Sequence, residues 1–151
     1  MNEKMLYFED LEVGHRWESA RHTVTEADIV LFAGLSGDFN PLHTDEEFAK
    51  TTIFGKRIAH GLLGLSISTG LAASEPPWLV MAFMGLDWRF TKPIFIGDTI
   101  HYVSEITRKR EGNKPDRGIV MLDRKLLNQR DETVQEGTFT LLVKQRASAL
   151  A

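Results

Sequence analysis

The chain has 151 residues, 42% hydrophobic and 26% charged, with a formal charge of −3 at pH 7; this is the size and balance of one soluble domain with a sizeable core, expected to run over residues 1–151. With no dense basic block to offset the negative balance, neither a nucleic-acid nor an anionic-membrane role is expected. The absence of cysteine excludes disulfides, Cys-based zinc sites and thiol catalysis, and it agrees with a reducing compartment, so a cytoplasmic protein is expected.

The first ten residues have an acidic interruption and no apolar run, so they do not read as a secretory leader. A first strand is predicted from Arg16 to Val24, set off by the Val13-Gly14 turn signal. Thr25-Glu26-Ala27-Asp28 reads as a capping box, with a threonine hydroxyl to accept from free N–H groups and an acid in the first turn. Ala27, Val30, Leu31 and Gly34 follow at helical spacing, which predicts a helix burying that face and stopping near Gly37. Thr44-Asp45-Glu46-Glu47 repeats the capping pattern and opens a short helix to about Lys50. A loop from Thr51 to Ile58 carries Lys56 and Arg57.

Gly61 to Ala73 is apolar or small on nearly every side and therefore predicts a buried helix, ended by Pro76-Pro77. It is too short and too dotted with Gly and Ser to span a bilayer. Leu79 to Phe90, long and aromatic, predicts a strand in the middle of a sheet, and Gly97-Asp98 a turn. From Thr99 to Thr107, Ile100, Tyr102 and Ile106 share one face and Thr99, His101 and Glu105 the other. Two more strands are predicted over Arg117–Leu127 and Thr133–Lys144, with Phe139, Leu141 and Val143 inward, then a loose tail over 147–151. A helix apolar all round must be wrapped, and a curved antiparallel sheet of about this many strands can wrap it, so an α+β class is expected.

The chemistry concentrates in Gly37-Asp38-Phe39-Asn40-Pro41-Leu42-His43. Asp38 and His43 are five apart with Pro41 between them, so a bend rather than a helix face brings them together, and Asn40 is placed to bond backbone groups and hold that bend. One reading is a carboxylate and an imidazole gripping one water molecule; the other is an ordinary turn with a capping aspartate. His60-Gly61 follows at the head of the apolar helix, where N–H groups lack helical partners and the dipole is positive. Gly61 there is either an oxyanion donor or a relief of crowding between helix and sheet. His60 itself reads as a structural histidine. Lys56, Arg57, Arg89 and Lys92 are candidates for phosphate pairing. His43, Asp45, Glu46 and His60 have no recognised metal-ligand spacing, so no metal site is expected.

The Asp-x-Asn-Pro-x-His segment, His60-Gly61, Arg89-Phe90 with Pro93, and Gly97-Asp98 together resemble the MaoC-like family, which includes the (R)-specific enoyl-CoA hydratases. The resemblance spans nearly the whole chain in order. It implies the hot-dog fold, an antiparallel sheet wrapped around a long central helix. It also implies Asp38 and His43 as the catalytic pair, the Gly61 N–H as oxyanion donor, and Ser66 and Thr69 lining the acyl pocket. The activity implied is reversible hydration of a trans-2-enoyl-CoA thioester to the (R)-3-hydroxyacyl-CoA. Coenzyme A would be part of the substrate, with no metal or redox cofactor, and the protein would be a homodimer or a dimer of dimers or trimers. A thioesterase on the same fold and a non-catalytic acyl-CoA-binding module are the rival readings.

Overall fold

The computed structural model describes residues 5–71 and 77–146. The tail over 147–151, the helix end at Ala72-Ala73 and Pro76 lie outside the described residues. After a 3-10 turn at Phe8–Asp10, the first strand is two short pieces, β1 (Arg16–Glu18) and β2 (His22–Thr23), rather than one. Helix α1 (Glu26–Ser36) starts at the expected capping box. The Thr25 N–H and hydroxyl both donate to Asp28 Oδ2, at 2.7 and 2.8 Å, and the Asp28 N–H donates back to Thr25 Oγ1 at 3.3 Å. The helix ends at Gly37, whose φ of 74° is a left-handed cap that glycine adopts without strain.

The buried face of α1 differs from the expected one. Ile29 and Ala33 are buried, with Phe32 against the same core, while Val30 and Leu31 are exposed. The two apolar rows lie on nearly opposite sides of the helix, about 160° apart, and only the core behind Ile29 distinguishes them. A single helical turn, α2 (Pro41–Thr44), replaces the expected bend, with Pro at its first position and the Asn40 side chain accepting from the Leu42 N–H at 2.9 Å. α3 (Glu46–Lys50) follows, capped by Asp45 rather than Thr44.

α4 (Gly61–Gly70) is the central helix, and strands β3 (Val80–Phe90), β4 (Thr99–Glu111), β5 (Arg117–Leu127) and β6 (Thr133–Lys144) curve around it. The order is β1-β4-β5-β6-β3, all antiparallel, with β2 also on β4. This is the hot-dog arrangement. Leu63 of α4 packs with Ile94, Ile100, Tyr102, Leu126 and Val134. The helix approaches the sheet closely because residue 64 is glycine: a Cβ there would come within 2.5 Å of Gln135 Nε2 and 2.7 Å of Ile94. A second core cluster includes Ile106, Phe139, Leu141 and Val143, with the inward faces of β4 and β6 as expected.

Two expectations about burial are corrected. β3 lies at the edge of the sheet, not in its middle, and Val80, Met81, Phe83, Met84, Leu86 and Phe90 are exposed along it. α4 is covered on one side only; Leu62, Ser66, Thr69 and Gly70 face outward. Both elements are apolar beyond what this single chain buries. His101, on the face of β4 opposite Ile100 and Tyr102 as alternation places it, is also buried, with Nε2 3.2 Å from Glu18 Oε1. Among the described residues, no helix is long and apolar enough to cross a membrane.

Candidate active site

The segment after α1 is built almost entirely from local hydrogen bonds. The Asp38 N–H donates to Ser36 Oγ, and Asp38 Oδ1 accepts the Asn40 N–H at 3.2 Å. The Asn40 carboxamide then caps α2. One turn of helix after the capped proline carries His43 inward, where it is buried, while Asp38 stays exposed. The turn is therefore braced by the Asp38 and Asn40 side chains and still turns His43 inward.

His43 Nδ1 lies 2.8 Å from the Ile58 carbonyl oxygen. A carbonyl only accepts, so Nδ1 carries the proton and Nε2 presents a lone pair. Burial pushes the His43 imidazole below the usual histidine range. The bond to Ile58 and the nearby Asp38 charge work the other way, and His60 adds to the lowering. At neutral pH the ring is therefore uncharged. His60 Nε2 in turn donates to the Asp38 carbonyl oxygen at 2.9 Å. The two imidazoles stack with centroids 3.8 Å apart at 30°, and Phe32 backs His60 at 5.1 Å.

Asp38, His43 and His60 each bring a ligand-type atom to within 4.8 Å of the others. A gap of that order between a carboxylate oxygen and a ring nitrogen is what one water with two ordinary hydrogen bonds bridges. A metal ion is poorly suited to the same three groups. Each imidazole must hold a metal in its own ring plane at about 2.0–2.1 Å, and two rings stacked at 3.8 Å with only 30° between them do not converge so close to their edges. Asp45 and Glu46, which the sequence set beside the histidines, are used elsewhere: Asp45 caps α3, and Glu46 pairs with Arg57 at 2.9 Å.

A cavity of about 300 Å³ opens beside this cluster. His43, Gly61, Phe54, Ile58, Phe90, Pro93 and Gln135 are among its lining residues. Gly61 is the first residue of α4, so its N–H has no acceptor within the helix. The crowding reading of Gly61 is met, since an added Cβ would lie 2.9 Å from the Phe90 ring. The Gly61 carbonyl accepts from Gln135 Nε2 at 3.0 Å, and Gln135 Oε1 accepts from Trp88 Nε1 at 3.0 Å.

The remaining expected residues are dispersed. The Ser66 and Thr69 hydroxyls donate to the Leu62 and Ser66 carbonyls of their own helix, and neither residue lines the cavity within this chain. Lys56 sets its ammonium 4.3 Å from the centre of the Phe95 ring. Arg57 bridges Glu26 and Glu46 at 2.8 and 2.9 Å, so its guanidinium ties α1 to α3. Lys92 lines the cavity and pairs with Glu132 at 2.7 Å, whereas Arg89 lines a separate hollow on β3, β5 and β6. The contributions of His60 and Gln135 were not foreseen: the ring contact joins residues 17 apart, the carbonyl bond residues 22 apart, and Gln135 reaches Gly61 across 74 positions.

The buried imidazoles also set the acid response. Burial lowers His43, and burial together with Arg21 lowers His101 against the opposing pull of Glu18. A histidine held below its unfolded value of about 6.5 leaves stability intact above that pH. As pH falls from there through the folded value, the unfolded chain binds protons that the folded chain does not, and stability drops. The urea midpoint should therefore be lower at pH 5.5 than at pH 8; equal midpoints would contradict the neutral, buried imidazoles.

Residues 11–125 match the family described as MaoC like domain. The (R)-specific enoyl-CoA hydratase of Rhodospirillum rubrum is 35% identical over 140 residues, 93% of this chain and 93% of that protein. A solved structure described as a monoamine oxidase regulatory protein from Archaeoglobus superposes with a TM-score of 0.89 at 42% identity, covering 95% of this chain and 97% of that one. A Mycobacterium tuberculosis protein with a double hotdog fold, 19% identical, superposes with a TM-score of 0.84 over 97% of this chain and 46% of its own, and so shares the fold.

Proposed function

The chain belongs to the MaoC-like domain family, and from that membership and the grouping of Asp38, His43 and Gly61 we propose an acyl-thioester hydro-lyase that adds water reversibly to a trans-2-enoyl-CoA to give the (R)-3-hydroxyacyl-CoA. The observation that carries this reading is the juxtaposition at one place of a carboxylate, an uncharged imidazole with a free Nε2, and a helix-initiating N–H beside a cavity.

In the proposed reaction Asp38 and His43 Nε2 hold one water. Its oxygen bonds to the β-carbon while its proton passes to the pair, and the alkene electrons move onto the thioester oxygen. That enolate oxygen rests on the Gly61 N–H, at the positive end of α4. The proton taken from water, or one exchanged for it, returns to the α-carbon as the carbonyl reforms. Every proton and electron pair is accounted for by water, substrate and side chains, so the scheme uses no metal or redox cofactor.

The apolar wall from Phe54, Ile58, Phe90 and Pro93 accepts the acyl group, with Lys56 the cation left for a coenzyme A phosphate now that Arg57 is engaged by two carboxylates. A second copy of the chain covers the edge of β3, where Val80, Phe83, Met84 and Phe90 would otherwise stay in water. The same association brings the outward flank of α4, with Ser66 and Thr69, into the assembly.

A panel of enoyl- and 3-hydroxyacyl-CoA thioesters of graded chain length tests the reading. Hydration to the (R)-alcohol without release of coenzyme A thiol is the expected result. Thiol release would instead identify a thioesterase, and binding without solvent-deuterium exchange at the α-carbon a non-catalytic module.

A further inference from the structure

His60 is a buried polar residue beside the Asp38–His43 pair and has no part in the reaction as written. It is 3% exposed. Its ring gives one N–H to the backbone of Asp38, lies against the ring of His43, and leaves Nδ1 buried without a hydrogen-bond partner. An unpaired buried nitrogen is a cost that phenylalanine, with a ring of comparable width and no polar atoms, would not incur. What phenylalanine lacks is the N–H donated to Asp38.

The placement of that donor is informative. The Asp38 carbonyl belongs to the segment between the Gly37 cap and the Asn40 cap, where the backbone is outside any helix and the exposed carboxylate depends on it for position. His43 is fixed in its ring plane on one side by the Ile58 carbonyl and on its face by His60. The peptide group joining His60 to Gly61 also contains the Gly61 N–H. One residue thus touches the backbone of the carboxylate, the face of the imidazole and the peptide of the oxyanion donor.

We infer that His60 is a positioning residue, which by its Nε2–H to Asp38 and its stack on His43 sets the acid–base pair in register with the Gly61 N–H. The inference rests on the assignment of Asp38 and His43 as the catalytic pair. The proton on Nε2 of His60 is the required feature, since only that nitrogen faces a carbonyl. The titratable groups acting on the His43 ring are His60, which opposes a proton there, and Asp38, which favours one.

The test compares wild type, His60→Phe and His60→Gln in hydration of an enoyl-CoA, with Asp38→Asn alongside. His60→Phe keeps the stacked ring and loses the donor; His60→Gln offers an amide N–H near the Nε2 position and loses the ring. In His60→Phe, kcat should fall about 10- to 100-fold, the scale of a misplaced catalytic group, with KM within about twofold. Its acid limb in kcat should move to higher pH as His43 loses a neighbour that opposes its proton, and His60→Gln should recover part of kcat. A folded His60→Phe with wild-type kcat and an unmoved acid limb overturns the inference. Wild-type activity in Asp38→Asn would instead overturn the assignment of the pair. If His60→Phe does not fold, imidazole 1H–15N correlation spectra of the unmodified protein decide: a protonated Nε2 and bare Nδ1 at His60 support the inference, and the opposite tautomer overturns it.

Discussion

Asp38→Asn and His43→Gln should each lower kcat/KM for enoyl-CoA hydration by about 10²- to 10⁴-fold, the range that a positioned acid or base contributes, while leaving thermal unfolding close to wild type. In the proposed reaction the two changes act on the same water from opposite sides. Asparagine at 38 retains an oxygen to accept the Asn40 N–H, so the turn before α2 persists. What disappears is the charge that makes the group a proton acceptor. Glutamine at 43 is neutral, as the native ring is at pH 7, but its amide is a far weaker base than Nε2. If both residues act on one proton, as proposed, the double variant should lose little more than either single variant. Near-wild-type turnover in a folded single variant would remove that residue from the mechanism.

Gly137→Ala should be the most destabilising small substitution in the sheet. Residue 137 on β6 pairs with Trp88 on β3, and a Cβ there would lie 1.9 Å from the Asp87 carbonyl oxygen and 2.8 Å from the Trp88 ring. The first neighbour is backbone in the adjoining strand and cannot swing aside. Over-filling a packed site ordinarily costs about 1–3 kcal/mol, and a clash with backbone places this change at about 3 kcal/mol or more. In a chain of this size that is a fall in Tm of about 6 °C or more, read by circular dichroism. Gly85→Ala is the control from the same strand pair: its Cβ would meet Thr140 at 3.8 Å, an ordinary contact, and Tm should hardly move. Equal behaviour of the two variants would contradict the β3–β6 register. The damage in Gly137→Ala also reaches the site, because Trp88 holds Gln135 and Gln135 holds the Gly61 carbonyl.

Features set by neighbours in sequence were legible before any coordinates. Thr25 and Asp28 cap each other across three residues, Gly37 ends its own helix, and Asn40 braces its own proline. The inward faces of β4 and β6 follow from alternation, since Ile100, Tyr102, Phe139 and Val143 can point only one way once either strand is placed. The errors share a different cause. α1 is apolar on more than one side, so periodicity could not choose Ile29 and Ala33 over Val30 and Leu31. The apolar content of β3 and α4 predicts burial, but an apolar surface meets that need against a second copy as well as within one chain. Nothing near His60 in sequence shows that a carbonyl 22 residues earlier lies against its ring.

The exposed margin of β3 has a consequence for how the protein would be handled. With that margin covered by a second copy, folding and association become one equilibrium, and mass action enters every stability measurement. A melting temperature would then rise with protein concentration, and an assay at high dilution would draw on a population partly separated into single chains. Loss of activity on dilution would be reversible on concentrating, unlike inactivation by unfolding and aggregation.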